Sequence, residues 1–482
     1  MAAAVNQVHG FKPLACPPRY HPQSVVHLDY KMLDFSQSVV TQSLEHAFNF
    51  ACIHKSSSTP CLSYSSKPED DLSTNPRIEI IAGHSLPQVH ALVVEVAIAM
   101  AAGVNIEPAA SGLGGAYFLH ARNGHTIAVA KPIDEEPLAL NNPKGFGGRM
   151  LGQPGMKSSI RIGETGARES AAYLLDHGGF SGVPPTALVK LSHFNFNLIK
   201  SDSDSNPSYK IASLQRFVNH DSDAGDLGPS SFSATSVHHI GILDVRLMNL
   251  DRHAGNLLVR QENESYGLGK AELVPIDHGF CLPECLDNPY FEWQHWPQAS
   301  LPFSEAEVDY ISSLDPFKDA ELLRTEVPSI RESSIRVLVI CTIFLKQATA
   351  YGLCLVDIGE MMTRKFIGGK EHWSSLESLC ATAKASLNMG LSDDSASSDQ
   401  EADEMLVVPR VFKKRHAKGV LMRSLSSPTP YNPSSQSISF GDMDDEEWQS
   451  FLKIFQEFLP EAFEERESMG LSKQRLRTSC AF

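Results

Sequence analysis

The sequence predicts an α+β chain of two unequal lobes, a small β-rich lobe followed by a larger, mostly helical one. Three observations carry that expectation. A glycine-rich turn at residues 111–117 leads into two short strand patterns joined by Asn123-Gly124, a two-residue hairpin signal. Further on, Ile240, Leu243, Leu247 and Leu250 recur at helical spacing, and two short apolar runs follow at 257–259 and 273–276. Beyond residue 303, helical patterns succeed one another almost without a break, at 304–313, 319–325, 329–351, 355–366 and 373–387.

Composition bounds the function. A net charge of −16 argues against general nucleic-acid binding and would be repelled by an anionic bilayer unless a local basic patch compensates. Nine cysteines without a CxxC pair suit reduced thiols in a cytosolic protein. None falls between Cys61 and Cys281, so a cysteine-borne lipid anchor is not expected in the small lobe. The most apolar stretch, 91–104, is interrupted by Glu95 and is shorter than the roughly 20 residues of a membrane span, so it reads as a buried helix.

Taken in order, residues 1–75 are rich in Ser, Pro and His and read as a disordered leader. The small lobe occupies 76–212, with a strand at 77–81, a helix at 86–102, hairpin strands at 116–121 and 125–130, and Lys131 at the end of the second. A Gly- and Pro-rich loop covers 141–157. A helix at 164–177 stops at Gly178-Gly179, a C-cap signal. Strands follow at 187–191 and 209–213, separated by a polar insert at 201–207. Residues 215–218 connect to the large lobe at 219–390, and the acidic stretch 220–236 reads as a surface excursion.

The segment 280–303 holds Tyr290, Phe291, Trp293 and Trp296 but no Lys or Arg. Those rings either pack against the large lobe or form an aromatic edge that dips into a membrane interface, where Trp is favoured. Residues 391–440 read as a linker with a basic island at 410–423, which suits anionic lipid, a nuclear address or a solvated turn. In the C-terminal piece, 441–482, an amphipathic helix at 446–465 puts Trp448, Phe451, Leu452, Phe455, Phe458, Leu459 and Phe463 on one face. Its acidic flanks favour docking on the protein over lying on a bilayer.

The polar residues between these elements suit phosphoryl transfer. Asp251, in the loop Asp251-Arg252-His253-Ala254-Gly255-Asn256, can accept the proton of an attacking hydroxyl; Asn256, five residues on, and Asp277, at the end of the second apolar run, can hold magnesium. The turn Ser111, Gly112, Leu113, Gly114, Gly115, Ala116, Tyr117 can aim backbone N–H groups at phosphate oxygens. Each piece alone occurs by chance in ordinary turns; their order gives them weight.

The Asp-Arg-His-x-x-Asn loop followed by Ile-Asp-x-Gly resembles the catalytic core of the phosphatidylinositol 3-/4-kinases, whereas protein kinases carry the reversed His-Arg-Asp. The longer run ILDVR…DRHAGNLLV…VPIDHGF looks like the type II phosphatidylinositol 4-kinases, most of all their plant gamma class. The resemblance implies a two-lobed kinase fold that uses ATP and Mg2+ to phosphorylate the 4-hydroxyl of phosphatidylinositol. By it, Asp251 is the catalytic aspartate, Asn256 and Asp277 are metal ligands, and Lys131 holds the nucleotide. Glu169 orients Lys131, with Glu164 as the alternative, and Gln215, Arg216, Phe217 and Val218 form the adenine hinge. A Ser/Thr protein kinase on this fold and a non-catalytic scaffold stand as rivals. The implied partners are phosphatidylinositol at a membrane surface or a protein substrate, met by a cytoplasmic protein through transient membrane contact, with a nuclear pool left open by the basic island.

Overall fold

The structure, a computed structural model, describes residues 77–103, 106–145, 147–192, 209–260, 271–390 and 437–479. The leader, the polar insert at 201–207, the linker up to 436 and its basic island lie outside the described residues.

The small lobe is built on a six-stranded sheet whose strands run in the order β1-β5-β6-β4-β3-β2, every pair antiparallel. These are β1 (Arg77–Ala82), β2 (Ile106–Pro108), β3 (Tyr117–His120), β4 (Thr126–Pro132), β5 (Thr186–Ser192) and β6 (Tyr209–Arg216). Strand alternation divides the side chains between two cores. Ala187, Val189 and Leu191 join Leu92 and Val96 of α1 (Pro87–Ala101), while Leu188 joins Ala167, Ala171 and Ala172 of α2 (Thr165–Leu175). Small residues let α2 approach the sheet closely: a Cβ on Gly166 would sit 3.0 Å from Leu188 Cδ1 of β5. The α1 helix is less buried than its composition suggests. It packs one face only, leaving Val94 and Ile98 exposed.

The large lobe starts with α3 (Ala234–Leu247), whose Ile240 and Leu243 are buried together with Leu247 and Leu250. A three-stranded sheet accompanies it, formed by β7 (Ser222–Asp223), which precedes α3 in the chain, and by β8 (Leu257–Arg260) and β9 (Glu272–Pro275), which follow it. The stretch expected as a surface excursion thus supplies a strand, and its Ala224 and Phe232 are buried. The helices are α4 (Glu305–Ser313), α5 (Pro316–Glu326), α6 (Glu332–Tyr351), α7 (Leu355–Met362) and α8 (Ser375–Gly390). Among the described residues α6 alone is long and apolar enough to cross a membrane, but 78% of its apolar window is buried inside the fold, as befits a central core helix. The helix expected to reach 366 stops at Met362. Gly368 and Gly369, both at positive φ, turn β10 (Lys365–Ile367) back onto β11 (Lys370–His372).

The C-terminal helix α9 (Asp445–Ser479) extends beyond its expected end at 465. It packs against α6 and α8, burying Trp448, Phe451, Leu452, Phe455, Leu459 and Phe463, with Phe458 half-buried. Arg336 of α6 secures the approach to it by donating to the carbonyls of Phe440 and Met443.

The aromatic segment is packing, not a membrane edge. Phe291, Trp293 and Trp296 are all buried, and only Tyr290 is exposed. Trp293 stacks on Phe291 with ring centroids 4.6 Å apart and donates its indole N–H to Asp244 at 3.0 Å. A Trp293→Ala substitution should therefore act on the fold, costing about 3–5 kcal/mol of stability. Urea unfolding checks this; an unchanged midpoint would contradict the packing role.

Candidate active site

The glycine turn joins β2 to β3 and leans on the segment just after β4. Gly112 takes φ +85°, a backbone conformation that favours glycine. Gly115 is required by close approach, since a Cβ there would fall 2.1 Å from Glu135 Oε2. Glu135 is fully buried beneath the turn. Its carbonyl accepts from the Gly115 N–H at 2.8 Å, and its carboxylate accepts from the Tyr117 hydroxyl at 2.6 Å and from Lys210 Nζ. Tyr117 is thus a brace whose side chain points into the core. Asn142 adds a bond to the Leu113 carbonyl at 2.8 Å, and the Ala116 carbonyl accepts from Ala109 N–H. Ser111, Gly112 and Leu113 form the exposed rim.

Lys131 lies on β4 opposite Ser213 and reaches toward the large lobe. Its Nζ is 2.8 Å from Glu169 Oε1 and 3.3 Å from Asp277 Oδ1. The other Glu169 oxygen accepts the His278 N–H at 3.1 Å, so one carboxylate fastens α2 both to the lysine and to the backbone after Asp277. Glu164 does not compete for the lysine, because it is held by Arg168 at 2.7 Å and Arg331 at 2.6 Å. Nearby, the start of α2 is pinned by Glu136, which accepts from the N–H groups of Gly163 and Thr165 at 2.8 and 3.1 Å.

The charges in this cluster support one another. Burial disfavours the Lys131 ammonium, but the charges of Asp277 and Glu169 outweigh it and hold its pKa above the ordinary lysine value. Lys131 in turn holds Asp277 below the usual carboxylate range, whereas burial raises Glu169. Asp277 therefore presents an ionised, half-exposed carboxylate to the cleft. Its φ of +57° is a backbone position that an Asp tolerates better than most side chains.

The loop carrying Asp251 is organised by Arg252, which is fully buried. Its guanidinium bonds both Asp244 oxygens, at 3.1 and 3.0 Å, and donates to the carbonyls of Asn256 at 2.8 Å and Ile276 at 2.7 Å. The Ile276 N–H also donates to the Asn256 carbonyl, at 3.0 Å. These bonds bring Asn256 beside the residue that precedes Asp277. Asn256 spends its amide N–H on the Asp251 carbonyl at 2.9 Å, which leaves its side-chain oxygen for a ligand. Replacing Arg252 with Met should cost about 3–5 kcal/mol, because Asp244 would be left as an uncompensated buried charge. Thermal and urea unfolding of that variant test the assignment.

Asp251 Oδ1 lies 3.9 Å from Lys157 Nζ, both side chains remaining partly exposed. Arg161 from the same loop reaches Glu284 at 3.3 Å. The segment after Asp277 has no Lys or Arg of its own, yet the small lobe brings cations to it.

Among the described residues there is no cluster of three or more His, Cys, Asp or Glu suited to a metal. One ionised carboxylate and one amide oxygen nevertheless fit Mg2+, a hard cation that commonly binds through one or two carboxylates and completes its shell with water and substrate phosphates. The hinge residues fare unevenly. Gln215 is buried and donates to Thr186 Oγ1 at 2.9 Å, while the N–H groups of Arg216 and Phe217 go to the carbonyls of Pro185 and Ile127. Of Arg216, Phe217 and Val218, only Val218 keeps an N–H without a partner among the described residues.

Sequence reasoning missed Asp244, Arg252 and Lys157. Asp244 and Arg252 lie eight positions apart across the end of α3, beyond any helical pairing rule. Lys157 carries one faint signal, a loop rich in cations and free of carboxylates.

Residues 112–358 match the family model described as phosphatidylinositol 3- and 4-kinase. Over 528 aligned residues the chain is 51% identical to phosphatidylinositol 4-kinase gamma 1 of Arabidopsis thaliana, covering 95% of this chain and 92% of that one. It is 50% identical over 519 residues to phosphatidylinositol 4-kinase gamma 8 of the same plant, with 95% and 96% covered. Phosphatidylinositol 4-kinase gamma 7 is 44% identical over 537 residues, with 89% and 82% covered. The matched span runs from the glycine turn into α7 and takes in both lobes of a kinase fold; the chain belongs to the phosphatidylinositol 3- and 4-kinase family.

Proposed function

We propose that this chain transfers the γ-phosphoryl group of ATP to the 4-hydroxyl of phosphatidylinositol, as a gamma-class member of the type II phosphatidylinositol 4-kinases. The observation that carries the reading is the ion cluster of Lys131 with Glu169 and Asp277, which sets a phosphate-binding cation beside an ionised carboxylate. Lys131 holds the nucleotide phosphates, with the rim Ser111, Gly112 and Leu113 above them. Asp251 orients the inositol hydroxyl and takes its proton as the new O–P bond forms and the bond to the ADP oxygen breaks. Asn256 and Asp277 would hold Mg2+, which neutralises phosphate charge when bound. Val218 offers the hinge N–H for adenine.

The net charge of −16 supports a cytoplasmic protein that meets membranes transiently. The segment after Asp277 carries no Lys or Arg of its own, but Lys157 and Arg161 stand beside it, so its lack of cations is no ground for selectivity against phosphorylated inositides.

The test incubates purified full-length protein with labelled ATP, magnesium, phosphatidylinositol vesicles and a basic protein substrate side by side. Label in the lipid is the expected result. Label in the protein alone would favour the Ser/Thr kinase rival, and label in neither would favour a scaffold.

A further inference from the structure

Glu164 does not hold Lys131, but it stands at the start of the helix whose Glu169 does. Its Oε2 accepts from Arg168 Nη2 of the same helix at 2.7 Å. Its Oε1 accepts from Arg331, from Nε at 2.7 Å and from Nη2 at 2.6 Å. Burial works to raise the pKa of Glu164, yet the charges of Arg168 and Arg331 outweigh it and hold the carboxyl below its ordinary value. Arg331 belongs to the large lobe and immediately precedes α6. Its remaining nitrogen, Nη1, lies 3.5 Å from Glu284 in the segment after Asp277. One guanidinium thus spans two carboxylates from different lobes, a task that suits its planar fork of donors.

The helix α2 is joined to the large lobe near both ends. At its C-terminal end the buried Arg246 donates to the Leu175 carbonyl at 2.9 Å. At its start Thr165 abuts the turn after Asp277, where a Cβ on Gly279 would come within 3.0 Å of Thr165 Cβ, and Arg331 adds the ion pair. Glu169 sits between these two anchorages and meets Lys131 at 2.8 Å and the His278 N–H at 3.1 Å. A shift of the start of α2 would therefore withdraw Glu169 from both partners.

We propose that Arg331 is a positioning residue for phosphoryl transfer: it clamps the start of α2 to the large lobe so that Glu169 keeps Lys131 in place, and through Glu284 it ties that arrangement to the segment after Asp277. The step from clamp to turnover rests on the proposed function; the clamp itself rests on the ion pairs alone.

The clamp can be opened without stranding a charge. Glu164 keeps Arg168 at 2.7 Å and Glu284 keeps Arg161 at 3.3 Å when Arg331 is gone, so neither carboxylate is left alone. Arg331→Met should accordingly melt close to wild type.

The experiment compares full-length wild type, Arg331→Met and Arg331→Lys by kcat on the wild type's acceptor and by amide hydrogen exchange. In Arg331→Met, kcat should fall about tenfold, the size of a typical coupling within one charge network. Exchange of α2 and of the His278 N–H should quicken, while the middle of α6 exchanges as before. Arg331→Lys, which keeps the charge but loses the fork, should recover part of both effects. Arg324→Met is the control, since it breaks the 2.7 Å pair with Glu332 in the first turn of α6 without reaching α2, and it should change neither readout. Wild-type kcat or wild-type exchange at α2 in Arg331→Met overturns the proposal. So does an equal loss of kcat in Arg324→Met, or faster exchange throughout α6 with a large fall in melting temperature, because either marks general loosening. Wild type that labels neither lipid nor protein would instead count against the proposed function; the exchange measurement, which needs no turnover, then decides the clamp by itself.

Discussion

Replacing Lys131 with Met should lower turnover by ~10^2–10^3-fold while the fold survives, if Lys131 is the preorganised charge that the proposed function sets against the nucleotide phosphates. Met keeps the aliphatic stem, so packing on β4 is little changed. What disappears is the cation that meets Glu169 at 2.8 Å and Asp277 at 3.3 Å. Two carboxylates then face each other without a counter-charge, and Asp277 loses the partner that holds its pKa down. The expected record is a collapsed rate and weakened ATP binding in a protein that still folds, with a melting temperature lowered by the buried Glu169 left without its partner. Unaltered ATP binding and turnover would show that the nucleotide phosphates lie elsewhere.

Asp277→Asn should be comparably severe, with a loss of about 10^2-fold or more, since charge stabilisation by a bound metal is worth several kcal/mol. Asn is the better probe than Ala because residue 277 has φ +57°, a conformation that Asn tolerates and Ala resists. The substitution thus removes the charge without adding backbone strain. Turnover measured across a magnesium titration checks the assignment: the variant should need far more metal and still not recover the wild-type rate. Wild-type activity with wild-type metal dependence would remove Asp277 from the metal site.

How much of this was legible in the sequence depends on the range over which each signal acts. Strand alternation, the Asn123-Gly124 hairpin and the period of α3 are local, and the observed elements follow them within a few residues. Lys131 and Asp277 could be singled out because each stands at or just beyond a strand end. The Glu164 and Glu169 alternatives could not be separated, since both sit at the start of one helix; what divides them is Arg331, more than a hundred residues away, which takes Glu164. Trp293 and Trp296 have the composition of an interfacial edge or of a core, and only their burial under the large lobe decides. Arg252 was legible as part of a motif but not as the residue that ties Asp244, Asn256 and Ile276 together. The β10–β11 hairpin was lost because a helical pattern ran into it, although Gly368-Gly369 was a turn signal in plain view.

The most direct test of the central claim is to identify the lipid product made by wild type and by Asp251→Asn under the same conditions. Asn keeps the size of the side chain and its place 3.9 Å from Lys157, but it cannot accept the inositol proton as a carboxylate does. Wild type should yield phosphatidylinositol 4-phosphate on chromatographic separation of the deacylated product. The variant, with an unchanged melting temperature and unchanged ATP binding, should yield almost none. Equal amounts of that product from both proteins, or phosphate at another inositol position, would contradict the account.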